Sequence, residues 1–185
     1  MTISRCMATF FAALSFCPLA AHAADFTVTS RAFASGQVQP AQFSDIMGCT
    51  GQNLSPDIHW SNAPEGTRSF VVTIYDKDAP TGSGWWHWVV VDLPADATSL
   101  PAGAGNGKGK AEMPEGARMT PTDMGAPGFL GACPPEGPEH DYTITVKALG
   151  IDRLPVPDNA TPAMVGFVSN MNALATATIS AKGKR

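Results

Sequence analysis

The stretch YDKDAPTGSGWWHWVVVDL, Tyr75 to Leu93, joins the end of one apolar, β-branched run, Ser69 to Tyr75, to another that spans Trp88 to Leu93. Such runs favour extended backbone, and the Gly, Pro and Asp residues between them favour turns, so the segment predicts strand, polar loop, strand. Neither run alternates apolar with polar, which predicts strands covered on both faces. Rigid strands that flank a polar loop are where binding groups tend to be held, so Asp76, Asp78, Pro80 and His87 are the first candidates for chemistry.

Working outward, Asp25 to Phe33 alternates loosely and predicts an entry strand. Pro40 to Phe43 predicts a short turn or helix, Gly48 to Asn53 a loop, and Asp57 to Trp60 a short strand. Pro94 to Gly131 is rich in Gly, Pro and Ala with little period, which predicts a long surface loop. Within it, GAGNGKGK at Gly103 to Lys110 is not a phosphate-binding P-loop. Ala104 stands where the first glycine belongs, and Ala111 replaces the Ser or Thr that binds magnesium; a flexible hairpin fits better. Tyr142 to Leu149 predicts a third strong strand. The last predicted element is a helix, capped by Thr161 with Pro162 at its first position, whose stripe Met164, Val165, Phe167, Val168, Met171, Leu174 and Ala175 is read as core packing. Strands outnumber helices, which favours a β-rich sandwich of antiparallel sheets with a helix packed late.

The first 23 residues read as an export signal: Arg5, then an apolar run from Met7 to Leu19, then Ala21-His22-Ala23 as cleavage site. A lipoprotein reading at Leu14-Ser15-Phe16-Cys17 is weaker, because Phe16 sits where a small residue is required. The apolar run is shorter than the roughly 20 residues that span a bilayer. Cleavage shortens the 185-residue chain to 162, the size of a single domain, 24–185, expected in the periplasm or outside the cell. Losing Arg5 leaves 11 basic against 16 acidic residues. A net charge of −5 with no long basic run argues against nucleic acid and anionic membrane surfaces as partners. Of the four cysteines, Cys49 and Cys133 remain after cleavage. In an oxidising compartment an even pair reads as a disulfide; two buried thiols are the alternative, and two sulfurs make a poor metal site.

Residues two apart on a strand share a face, so His140 and Tyr142 point one way and Asp141 the other, while His87 enters its strand opposite Trp86 and Trp88. If those strand ends are neighbours, Asp76, His87, His140 and Tyr142 converge. Together, Asp76-x-Asp78-Ala79-Pro80, Trp86-His87-Trp88, Cys133-Pro134-Pro135-x-Gly137 and His140-x-Tyr142 resemble the phosphatidylethanolamine-binding protein family, and most closely its bacterial Raf-kinase-inhibitor-like branch (YbhB/YbcL). The resemblance spans nearly all of the chain after the leader. It implies a mainly β sandwich with a few peripheral helices, one of them C-terminal, and a small anion pocket formed here by Asp76, Pro80, His87, Pro134, His140 and Tyr142.

The resemblance also implies binding of phosphate, phosphoryl head groups or similar anions, in some members inhibition of kinases or proteases through protein contacts, and no established catalysis. No cofactor or metal is expected, and a homodimer stays open. Two imidazoles and a phenol are expected to donate to the anion, with Asp76 orienting His87 or receiving a ligand ammonium group, and with backbone N–H groups of Gly131 to Cys133 as further donors. Affinity is then expected to weaken as pH rises through about 6–7. Asp78 is read as a turn aspartate capping Ala79-Pro80, and the tryptophans as packing with one of them walling the pocket. Three positions depart from the family pattern: Lys77 replaces proline, Asp141 replaces arginine, and Met119 to Asp123 lacks an Arg-Asn-Asp run. The rival readings are a protein-interaction module working through the 94–131 loop, and a metal or acid/base enzyme, which lacks a nucleophile with a matched base or an HExxH helix.

Overall fold

A computed structural model describes residues 24–108 and 111–185. The expected leader and the Gly109-Lys110 end of the glycine-rich run lie outside the described residues. Among the described residues, eight strands form two antiparallel sheets. The smaller has the order β1 (Thr27–Thr29), β2 (Ile58–Ser61) and β5 (Ser99–Leu100). The larger runs β6 (Arg118–Met119), β4 (Trp85–Pro94), β3 (Ser69–Asp76), β7 (His140–Leu149) and β8 (Ala173–Gly183). One α-helix, α1 (Pro162–Asn172), leads directly into β8.

The unbroken hydrophobicity of β3 and β4 has the expected cause. Phe70, Val72, Ile74, Trp88, Val90 and Leu93 face the smaller sheet and pack with Val28, Ile58 and Trp60. Val71, Val89 and Val91 face the other way, under Leu149, Leu154, Val156 and Val165. β7 is buried at alternate positions over most of its length, as a strand with one solvated face should be.

The chain departs from the sequence expectations at both ends. The entry strand stops at Thr29, and Arg31–Phe33 forms a 3-10 turn whose N–H groups at Arg31 and Ala32 bond the Asp57 carboxylate. At the other end the helix is not the last element. It stops at Asn172, where Ala175, Ala177, Ile179 and Ala181 begin to alternate with Thr176, Thr178 and Ser180, a period of two that belongs to an edge strand. Only part of the apolar stripe is core, with Val165 inside it and Val168 packed against it. Val165 and Ser169 are buried on α1, but Phe167 is 67% and Met171 72% exposed, and Met164 and Leu174 are half exposed. Thr161 caps as expected, accepting from the Met164 N–H. The 94–131 segment carries two two-residue strands at the sheet margins rather than being wholly irregular.

Candidate functional site

Three neighbouring strands place the candidate residues. β3 lies between β4 and β7, and its last residue, Asp76, pairs across to Trp85 on one side and Tyr142 on the other. Ile74 pairs with Trp88 while Tyr75 pairs with Trp86, so His87 is the extra residue of a β-bulge. The bulge overrides simple alternation. His87 does not lie opposite Trp88; both face the same side as Tyr142, whose ring centroid is 5.3 Å from that of His87 in an edge-on arrangement. The strand also begins earlier than predicted, so Trp85, Trp86 and Trp88 all lie within β4.

Two loops roof this end of the sheet. Ser44 donates to the Ala132 carbonyl and Ala132 to that of Gln42. Gly131 permits the approach, since a Cβ there would lie 2.5 Å from the Ser44 nitrogen. The Cys49–Cys133 disulfide, 84 residues apart in sequence, ties the loops together. Beneath them is a cavity of about 210 Å³ lined by all six candidate residues, Asp76, Pro80, His87, Pro134, His140 and Tyr142. Trp85, Met47, Leu130, Thr81 and Pro135 contribute further walls that sequence patterning did not single out, apart from the expectation that one tryptophan would do so. Met47 carries no local signal; it reaches the site because the disulfide-closed loop holds it there with φ 58°. Among the described residues, no Lys or Arg lines the cavity.

The polar floor is wired differently from expectation. Asp76, 2% exposed, bonds His140 rather than His87: its Oδ2 accepts from His140 Nδ1 at 2.8 Å, and its Oδ1 accepts the N–H groups of Asp78 (2.9 Å) and Ala79 (3.1 Å). The turn is therefore capped by Asp76, and Asp78 instead accepts the Asp141 N–H at 2.7 Å. His87 Nδ1 lies 2.8 Å from the Leu130 carbonyl oxygen. A carbonyl only accepts, so Nδ1 carries the proton and Nε2 is left with a lone pair unless the ring is cationic. Burial lowers the basicity of His87, opposed by the Leu130 carbonyl and more weakly by Asp76 and Asp123, which favours the neutral ring. His87 Nε2 and the Tyr142 hydroxyl are both buried without a protein partner. Burial, reinforced by the Asp76 charge, raises the Tyr142 pKa far above the usual phenol range, so this hydroxyl keeps its proton.

The backbone donors expected at Gly131 to Cys133 are largely engaged: Gly131 N–H bonds Asn53 Oδ1 and Ala132 N–H bonds Gln42. Two of the departures from the family pattern form one contact, with Lys77 Nζ 2.6 Å from Asp141 Oδ2 and Lys182 Nζ 2.6 Å from Asp141 Oδ1. The bond to Asp141 raises the basicity of Lys77, and the two lysines lower the pKa of Asp141. In the loop that lacks the Arg-Asn-Asp run, Asp123 accepts the Trp86 N–H at 2.9 Å and holds the bulged strand. Among the described residues, no group of three or more His, Cys, Asp or Glu is placed to hold a metal, and no helix is long and apolar enough to cross a membrane.

The model of the phosphatidylethanolamine-binding protein family matches residues 29–184. The chain is 47% identical over 169 residues to the UPF0098 protein YbcL of Escherichia coli, covering 90% of this chain and 92% of YbcL. It is 54% identical over 135 residues to YbhB of the same organism, covering 73% and 84%. The crystal structure of Escherichia coli YbcL, described as a new member of the mammalian PEBP family, superposes with a TM-score of 0.82 at 46% identity over 88% of this chain and 99% of that one. With the same fold as YbcL and a family match over nearly all of the described residues, the chain belongs to the phosphatidylethanolamine-binding protein family.

Proposed function

We propose that this protein is a non-enzymatic binding protein whose strand-end cavity takes a small oxyanion, phosphate or a phosphoryl head group. The observation that carries the reading is the Tyr142 hydroxyl, a buried, protonated donor with no hydrogen bond, carried by a residue that lines the cavity. A buried hydroxyl without a bond costs free energy, and a ligand oxygen supplies the missing acceptor. Beside it, His140 has Nδ1 fixed on Asp76, which leaves Nε2 as the ring nitrogen open to the same ligand. The proline, tryptophan and methionine walls make the surroundings apolar, which strengthens these few polar contacts and suits an organic substituent. The family's name, phosphatidylethanolamine-binding protein, agrees with a phosphoryl ligand.

The leader pattern and the Cys49–Cys133 bridge support export of residues 24–185 as one domain to the periplasm or beyond. One observation favours a second reading, a protein-interaction module: Met164, Phe167, Met171 and Leu174 form an exposed apolar face on α1 and the start of β8, on a segment without a charged residue from Thr161 to Ala181. Calorimetric titration of inorganic phosphate and phosphoethanolamine into the mature protein, Tyr142→Phe and His140→Ala separates the two. Saturable binding to the parent that is lost in both variants supports the cavity; a folded parent that binds neither up to ~10 mM refutes it.

A further inference from the structure

The floor of the cavity does not offer donors alone. His87 Nδ1 is committed to the Leu130 carbonyl, and its Nε2 is an unpartnered acceptor within the same buried cluster as the Tyr142 hydroxyl. A fully deprotonated oxyanion would set a charged oxygen against that lone pair, and among the described residues no Lys or Arg lines the cavity to offset the repulsion. Its one carboxylate, Asp76, is already balanced against His140 and two backbone N–H groups. Building on the oxyanion reading above, we infer that the site selects an oxyacid in its singly protonated form, a phosphate monoester monoanion, whose own O–H donates to His87 Nε2 while its other oxygens accept from Tyr142 and His140. His87 thus becomes the residue that sets ligand protonation state rather than a positive anchor.

The groups that face this ring are Asp76 from β3, His140 and Tyr142 from β7, Asp123 from the loop after β6, and the backbone at Leu130 and Gly131. The carboxylates favour a cationic ring, but neither bonds it: Asp76 is taken by His140, and Asp123 by the backbone of Trp86. Burial opposes them and is the largest influence on the ring, which keeps Nε2 an acceptor. Lys77, the nearest lysine in sequence, is held by Asp141 outside the cavity.

Methyl phosphate and methyl sulfate provide the test, because they match in shape. The first is a monoanion with one acidic proton below its second pKa of about 6, and the second is a monoanion with none. Both are titrated calorimetrically into the mature protein from about pH 5 to pH 8, and the ratio of the two affinities removes any titration of the protein that both ligands feel equally. The expected ratio favours methyl phosphate by tenfold or more near pH 5, the cost of leaving a buried acceptor unpaired, and falls about tenfold per pH unit above the ligand's pKa.

In His87→Gln the amide nitrogen takes the place of Nε2 and donates, so the preference for methyl phosphate should be lost and methyl sulfate binding gained. A ratio near one that stays flat with pH in the parent overturns the inference while leaving oxyanion binding intact. Binding of neither ligand overturns the oxyanion reading and this inference with it. The parent's pH profile decides the matter even where His87→Gln does not fold.

Discussion

Replacing Asp76 probes the arrangement most sharply, because one buried carboxylate holds three donors: His140 Nδ1–H and the N–H groups of Asp78 and Ala79. In Asp76→Ala all three lose their acceptor, inside a site where water is scarce. A buried donor left without its acceptor costs about 1–3 kcal/mol, and with three donors affected the expected total is about 3–5 kcal/mol. For a domain of this size that corresponds to a fall in Tm of roughly 6–20 °C. In Asp76→Asn the amide oxygen still accepts the two backbone N–H groups. Its NH₂ then faces His140 Nδ1, which can become an acceptor by moving its proton to Nε2. The expected cost is smaller, about 1–2 kcal/mol. Urea unfolding of the parent and both variants at neutral pH, with matched slopes, measures the difference. If Asp76→Ala costs under ~1 kcal/mol, or no more than Asp76→Asn costs, this carboxylate does not organise the strand ends.

Reduction, or the Cys49→Ser/Cys133→Ser double substitution, opens an 84-residue connection and should lower stability by roughly 4–5 kcal/mol in the chain-entropy account; a change below ~1 kcal/mol in reversible unfolding would contradict it. Because burial lowers the folded-state pKa of His87, the unfolded chain takes up its proton first as pH falls. This group's contribution to stability is therefore complete above about pH 6.5 and is lost below it; His87→Gln should flatten that part of the pH–stability curve, and an unchanged slope would count against a buried neutral ring. On α1, Phe167→Ser should change stability by no more than about 0.5 kcal/mol, while Val165→Ala should cost about 2 kcal/mol; a reversed order would return the exposed stripe to the core.

Much of the site was legible because its residues sit at strand ends whose hydrophobic runs are unmistakable. Ser69 to Tyr75 and Tyr142 to Leu149 identify two neighbouring strands of the sheet, and Asp76, His140 and Tyr142 follow from their termini. The wiring was not legible, because it depends on a single inserted residue. The bulge at His87 turns the ring to the Trp88 side and toward Leu130, which leaves Asp76 to His140, and nothing in period-two patterning announces a bulge. Met47 was equally hidden, since a disulfide and a left-handed backbone place it rather than its neighbours in sequence.

The C-terminal misreading has a different origin. Met164, Phe167, Met171 and Leu174 satisfy helical spacing, but Leu174 already lies in β8, and spacing alone does not say which side of the helix meets the sheet. The alternating Ala and Thr of 175–178 was masked by alanine's high helix propensity. Lys77 and Asp141 each departed from the family pattern when taken singly; the structure shows them as one surface ion pair, so neither charge reaches the cavity.

In the proposed function an oxyanion occupies the site formed by Tyr142, His140 and His87. The most direct measurement is a crystal structure of the mature protein with methyl phosphate, at a ligand concentration within about tenfold of the Kd found by titration. The account predicts the phosphoryl group under the Cys49–Cys133 loops, with one oxygen within hydrogen-bond distance of the Tyr142 hydroxyl and another of His87 Nε2. A cavity filled with water while the ligand lies elsewhere, or with both atoms still unpaired, would contradict it.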